Sequence, residues 1–200
     1  MDKKYLIAGA ALLSAAVLGW LLYLSTRPLP GTKITDLGRG HIEIGTEVKY
    51  NSNPPTSGQH YEDWVRAGIY TEVKDDRNLV HSLEHGYVIM HYRCNIESRV
   101  KSQESSEATW SAEATPSGKI DSQVECDERK AKLEEIYNKK GKRKLIVVVR
   151  PNLDTNFAVT AWNYLDKFDP STSSGLSVSE VERIEKFIDT HLDNGSEKTM

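Results

Sequence analysis

From Tyr5 to Thr26 the chain runs for 22 positions without a charged side chain, and 17 of the 21 residues from Tyr5 to Ser25 are apolar. A helix over that run is roughly 33 Å long, close to the hydrocarbon thickness of a bilayer. The expectation is therefore an uncleaved signal anchor over residues 1–26 that crosses a membrane once, with Trp20 and Tyr23 as interfacial aromatics. A cleaved signal peptide is the alternative, although its apolar core is usually shorter, about 7 to 15 residues. Flanking positive charges nearly balance, Lys3 and Lys4 against Arg27, Lys33 and Arg39; the short basic tail is placed inside and residues 27–200 outside the cytoplasm. No second run approaches the ~20 residues of a span, which excludes a multi-span transporter or channel.

Once that run is set aside, only about one third of the remaining residues are hydrophobic, enough for one domain with a modest core. Arg27 to Gly31 holds two prolines and a glycine, so residues 27–40 read as a linker to a single α+β domain over 41–194. His41 to Tyr50 alternates apolar and polar residues, which predicts a half-buried strand. Pro54-Pro55 and Gly58 supply turn chemistry. Asn78 to His85 reads as a short helix stopped by Gly86, and Tyr87 to Tyr92 as a strand. Residues from about 95 to 122 form a polar insertion, followed by a charged helix from Val124 to Lys140. Leu145 to Val149 predicts a central strand, whereas Phe157 to Leu165 fits a strand or a helix. Ser177 to Glu180 is a capping box opening an amphipathic helix whose apolar face is Val181, Ile184, Phe187, Ile188 and Leu192. The sheet is expected to be small and mixed or antiparallel.

Five of the six histidines lie between positions 41 and 91, and His81, Glu84, His85 and His91 fall within eleven residues. On a helix His81 and His85 share one face, four residues apart, a spacing that suits a common metal ion. Adding His60 from the proline loop gives His60, His81, His85 and His91 as candidate ligands, and imidazole suits a divalent transition metal such as zinc or copper. The alternative is that these rings hydrogen-bond backbone at strand and helix ends. HSLEH also follows the H-x-x-E-H order of inverted zinc peptidases, which makes Glu84 a candidate base, although Gly86 ends the helix where such a peptidase needs it to continue. Ser57 is a weak candidate nucleophile, since no G-x-S-x-G elbow is present. Five of the six residues from Lys139 to Lys144 are basic, but no aromatics interleave and the chain carries a net charge of −3, so no nucleic-acid partner is expected. Cys94 and Cys126 lie in no CxxC pair; they close a disulfide in an oxidising compartment and remain thiols in a reducing one.

The blocks YNSNPPTSGQHYEDW, LVHSLEHGYVIMHY and TAWNYLDKFD, following an apolar N-terminal run, resemble a prokaryotic family of membrane-anchored proteins of unknown function, domain family 3105. In the third block Asn163 stands where a glycine is expected. The resemblance brings no activity with it. It implies that the proline loop and the H-x-L-E-H-G segment form one site, with His60, Ser57, His81, Glu84, His85 and His91 as its candidates. The reading is thus a membrane-tethered extracytoplasmic domain that binds metal through its histidines. A metal-dependent hydrolase using Glu84, or a non-catalytic module docking a protein partner of unknown identity, is the alternative.

Overall fold

The protein is described by a computed structural model covering residues 3–25, 28–95, 121–171 and 175–197, with the side chains of 3–11, 24 and 25 left aside. Helix α1 runs Lys3–Ser25. Short strands β1 (Thr32–Lys33) and β2 (Arg39–His41) follow, so the stretch expected as a linker already enters the sheets. Next come β3 (Gly58–His60), β4 (Gly68–Tyr70), α2 (Asp76–Glu84) and β5 (Val88–Tyr92). The remaining elements are α3 (Gln123–Lys139), β6 (Leu145–Val149), β7 (Phe157–Ala161), β8 (Tyr164–Phe168) and α4 (Val178–His191). The domain is α+β, as expected, around a six-stranded mixed sheet in the order β1-β8-β7-β5-β6-β4, with β2 and β3 forming a separate parallel pair.

The expected membrane span is overturned. Among the described residues no helix is long and apolar enough to cross a membrane. The single-span membrane partner and the single-pass placement with the domain outside the cytoplasm fall with it. The polar insertion expected at about 95–122 lies mostly, from 96 to 120, outside the described residues.

Two crossovers build the centre of the sheet. Strands β4 and β5 both run parallel to β6, one on each side, and α2 connects β4 to β5 while α3 connects β5 to β6. Helices therefore cover both faces, which explains why β5 and β6 are buried at every position and read as continuous apolar runs. Val88, Met90, Leu145, Val147 and Val149 turn to one face and pack on Leu133 and Ile136 of α3 and on Ile184, Phe187 and Ile188 of α4. Ile89, Ile146 and Val148 turn to the other and pack on Leu79, Val80 and Leu83 of α2. The ambiguous run Phe157 to Leu165 is a hairpin: β7 and β8 pair antiparallel through a turn at Trp162-Asn163. Asn163 sits at φ 63, a left-handed conformation that asparagine tolerates better than most residues, which accounts for its presence where glycine was expected.

One expectation changes. Only His41 of the predicted strand from His41 to Tyr50 is extended and paired; Gly45 takes φ 94 and donates its N–H to the Tyr61 hydroxyl, so the chain bends away and Ile44 is 85% exposed. By contrast, the expected capping box of Ser177 with Glu180 forms, and the structure adds a second, Ser122 with Glu125, at the start of α3. Cys94 and Cys126 are disulfide-bonded, tying the end of β5 to the first turn of α3.

Candidate metal centre

The loop before β3 is fixed from several sides. Thr56, Ser57 and His60 are fully buried, the Asn53-Pro54 bond is cis, and Gly58 takes φ 126 with the Tyr50 ring against the position a Cβ would occupy. The Ser57 hydroxyl accepts the Leu37 N–H at 3.1 Å, and the Thr56 carbonyl accepts the Asn163 N–H. Ser57 is thus engaged in holding the loop to the segment that leads into β2. The parallel register of β2 on β3 sets His41 beside His60, and their ring centroids are 5.2 Å apart.

Helix α2 supplies the other wall. Its apolar face is committed to the sheet, which leaves His81 and Glu84, three residues apart, facing β3. Asp75 caps the helix N-terminus, and Arg150 grips Asp76 through both guanidinium nitrogens at 2.6 and 2.9 Å. Ser82 both donates to and accepts from the Val65 backbone, so the segment from Tyr61 to Val65 is clamped along the helix.

One ligating atom from each of His41, His60, His81 and Glu84 lies within 4.8 Å of all the others. His60, His81 and Glu84 are buried and His41 is exposed, so the cluster opens to solvent on one side. The two buried rings are oriented alike. His60 Nδ1 donates to the Gly58 carbonyl at 2.8 Å, and His81 Nδ1 donates to the Tyr61 carbonyl at 2.7 Å. A carbonyl only accepts, so Nδ1 carries a proton in both rings, and a ring holding that one proton presents its Nε2 lone pair to the cluster. This outer-shell arrangement is the one that fixes the tautomer of metal-binding histidines. His60 Nε2 lies 2.9 Å from Glu84 Oε2 without hydrogen-bond geometry, so two acceptor atoms face each other unless a proton or cation lies between them. Burial holds His81 below the usual imidazole range, opposed by the Tyr61 carbonyl and reinforced by the neighbouring His60, His85 and His41 rings; the neutral, ligating form is favoured.

The remaining candidates lie elsewhere. His85 caps α2 beside the cluster, its ring 4.5 Å from His81, and its Nδ1 faces Glu197 at 3.4 Å. Trp64 stands over both rings, at 5.4 Å from His81 and 5.1 Å from His85. His91 is enclosed within β5, bonded through Nε2 to the Thr160 hydroxyl at 3.1 Å, and burial holds it well below the usual imidazole range. The structure therefore brings His60 and His81 together with Glu84 and His41, leaves His85 at the margin, and keeps His91 in the sheet.

Residues 41–117 match the model of a family described as a protein of unknown function, DUF3105. Over that stretch the chain is similar to the DUF3105 family. All four clustered donors fall inside the DUF3105 match, which begins at His41 itself. No curated protein and no solved structure matches the chain. Two cluster members are absent from the ligand set expected from sequence: Glu84, read there as a candidate base, and His41. His41 was legible only as one of five histidines in a short span, because nothing local announces the parallel pairing that carries it to His60.

Proposed function

We propose that this protein is a metal-binding domain that holds one divalent transition ion, zinc or copper, through His41, His60, His81 and Glu84. The observation that carries this reading is the pair of buried histidines with backbone-anchored Nδ1 atoms, clustered within 4.8 Å of a Glu84 carboxylate oxygen, with His60 Nε2 at 2.9 Å from Oε2. A cation between them removes the acceptor–acceptor conflict and neutralises a buried charge, the usual resolution for such groups. Imidazole donors favour zinc, copper, iron or nickel over magnesium or calcium.

Ion size is compatible with the spacing. A tetrahedral ion bound at about 2.0–2.1 Å holds its ligands roughly 3.4 Å apart. The widest pair at 4.8 Å must therefore close by about 1.4 Å, and exposed His41 is the member freest to swing inward. In this reading Glu84 is a ligand, so the hydrolase alternative that needs it as a base is not carried forward.

The test is metal content. The purified full chain, stripped with chelator, incubated with zinc or copper and desalted, is expected to retain one ion per chain by mass spectrometry. Retention of none overturns the reading.

A further inference from the structure

Beyond α4 the chain turns back over the candidate metal centre. Asp193 adopts φ 63 and its N–H donates to the Gly86 carbonyl at 2.9 Å, while its carboxylate is gripped by Arg143 and by Lys144 at 3.0 Å. Gly86, at φ 79, has no room for a side chain there: a Cβ would lie 2.8 Å from Asp193 Cα. Gly195 then passes so close to the end of α2 that a Cβ would fall 2.0 Å from the Glu84 carbonyl oxygen. The Glu197 N–H donates to that same carbonyl at 3.0 Å. Two side chains reach the site itself. The Ser196 hydroxyl donates to Glu84 Oε1 at 3.3 Å, and the Glu197 carboxylate faces His85 Nδ1 at 3.4 Å. Arg39, at the start of β2, donates to the Ser196 carbonyl at 3.1 Å and lies 3.9 Å from Glu84 Oε1.

Glu84 is therefore steered at Oε1 by Ser196 and Arg39, which leaves Oε2 facing His60. We infer that Asp193–Glu197 is a strap that completes the metal centre, with Ser196 as a positioning residue that fixes Glu84 for the ion, so that ion binding and strap docking reinforce each other. This rests on the metal-binding reading. Its residues lie outside the DUF3105 match, and no sequence motif links them to the site. Outer-shell partners of metal ligands typically contribute about 10- to 100-fold in affinity. The long Ser196 contact and its partial exposure put it at the lower end.

The test uses the full chain and zinc alone. Gly195→Ala forces the strap off the Glu84 carbonyl and is expected to weaken zinc binding about tenfold, while Ser196→Ala removes one hydroxyl and weakens it a few-fold with the melting temperature of the zinc-free chain unchanged. Coupling is reciprocal, so zinc must favour the docked strap by the same factor, and exchange of the Glu197 amide hydrogen in the unmodified chain slows about tenfold on saturation. If the unmodified chain binds zinc but both variants bind as it does and Glu197 exchange is unaffected, the strap is overturned and the metal centre stands. If the unmodified chain takes up no zinc, the metal centre fails and the strap's role with it.

Discussion

Removing the His60 ring tests the centre most directly, because this side chain is fully buried and, among the described residues, its partners are the Gly58 carbonyl and the cluster. An ion that binds only the folded chain stabilises it by RT ln(1 + [M]/Kd), about 2.7 kcal/mol at a free concentration one hundred times Kd. For a domain of this size 1 kcal/mol moves the melting temperature by roughly 2–4 °C, so zinc should raise it by about 5–11 °C. If His60→Ala weakens the site a hundredfold, the same zinc concentration only equals the new Kd, and the gain falls to about 0.4 kcal/mol, under about 2 °C. The substitution also lowers the zinc-free melting temperature by leaving a cavity and an unpaired carbonyl. The quantity to compare is thus the zinc-induced increment in each protein, measured by calorimetry or dye-based melting. His191→Gln is the control: this ring is buried on α4, bonded to the Pro30 carbonyl at 2.9 Å and packed on Tyr164 and Phe187, away from the cluster, and its increment should match the unmodified chain. An undiminished increment in His60→Ala would refute the assignment of His60 as a ligand.

Three further outcomes are expected. Leu83→Ala empties a fully buried position between α2 and the sheet and should cost about 2–5 kcal/mol in urea unfolding, carrying the α2 donors with it. Breaking the Cys94–Cys126 bond, which spans 32 residues, should cost about 3–4 kcal/mol by the chain-entropy relation, read as a lower denaturant midpoint for the double serine variant. His91 is held well below its ordinary value by burial, then by the Arg150 guanidinium, and burial lowers His191 as well. A base depressed in the folded state contributes stability above the unfolded value near 6.5 and loses it as the pH falls. The urea midpoint should therefore decline below about pH 6.5, and His91→Gln should flatten that decline; an unchanged slope would contradict the assignment.

Local signals were legible where one residue run decides one element. Ser177 and Glu180 announced α4, Gly86 announced the end of α2, and five consecutive apolar residues announced β6. The run from His41 to Tyr50 misled because alternation records only which residues suit a half-buried strand, not whether a partner strand exists; the paired strand ends at His41, and the chain bends at Gly45. The candidate site was half legible. HSLEH gave His81 and Glu84 because a helix fixes neighbours three residues apart, and the proline loop gave His60. His41 depends on strand pairing 19 residues away in sequence, and the reach of Ser196 to Glu84 on a separation of 112. The apolar run at the N-terminus suggested a span from composition alone, which the described helix does not supply.

The cluster divides into donors that cannot move and donors that can. His60 and His81 are each tied by Nδ1 to backbone that is itself clamped, by the buried proline loop and by Ser82 on Val65. Their Nε2 atoms are in place before any ion arrives, so little ordering cost falls on binding. His41 is exposed at the end of a three-residue strand, and Glu84 takes its orientation from a strap and from Arg39, a largely exposed side chain. Two rigid imidazoles therefore set where the ion sits, while a swinging imidazole and a steered carboxylate set how tightly it is held. Substitutions at His60 or His81 should abolish the site, whereas those at His41, Ser196 or Gly195 should tune its affinity, a graded pattern that four equivalent ligands would not produce.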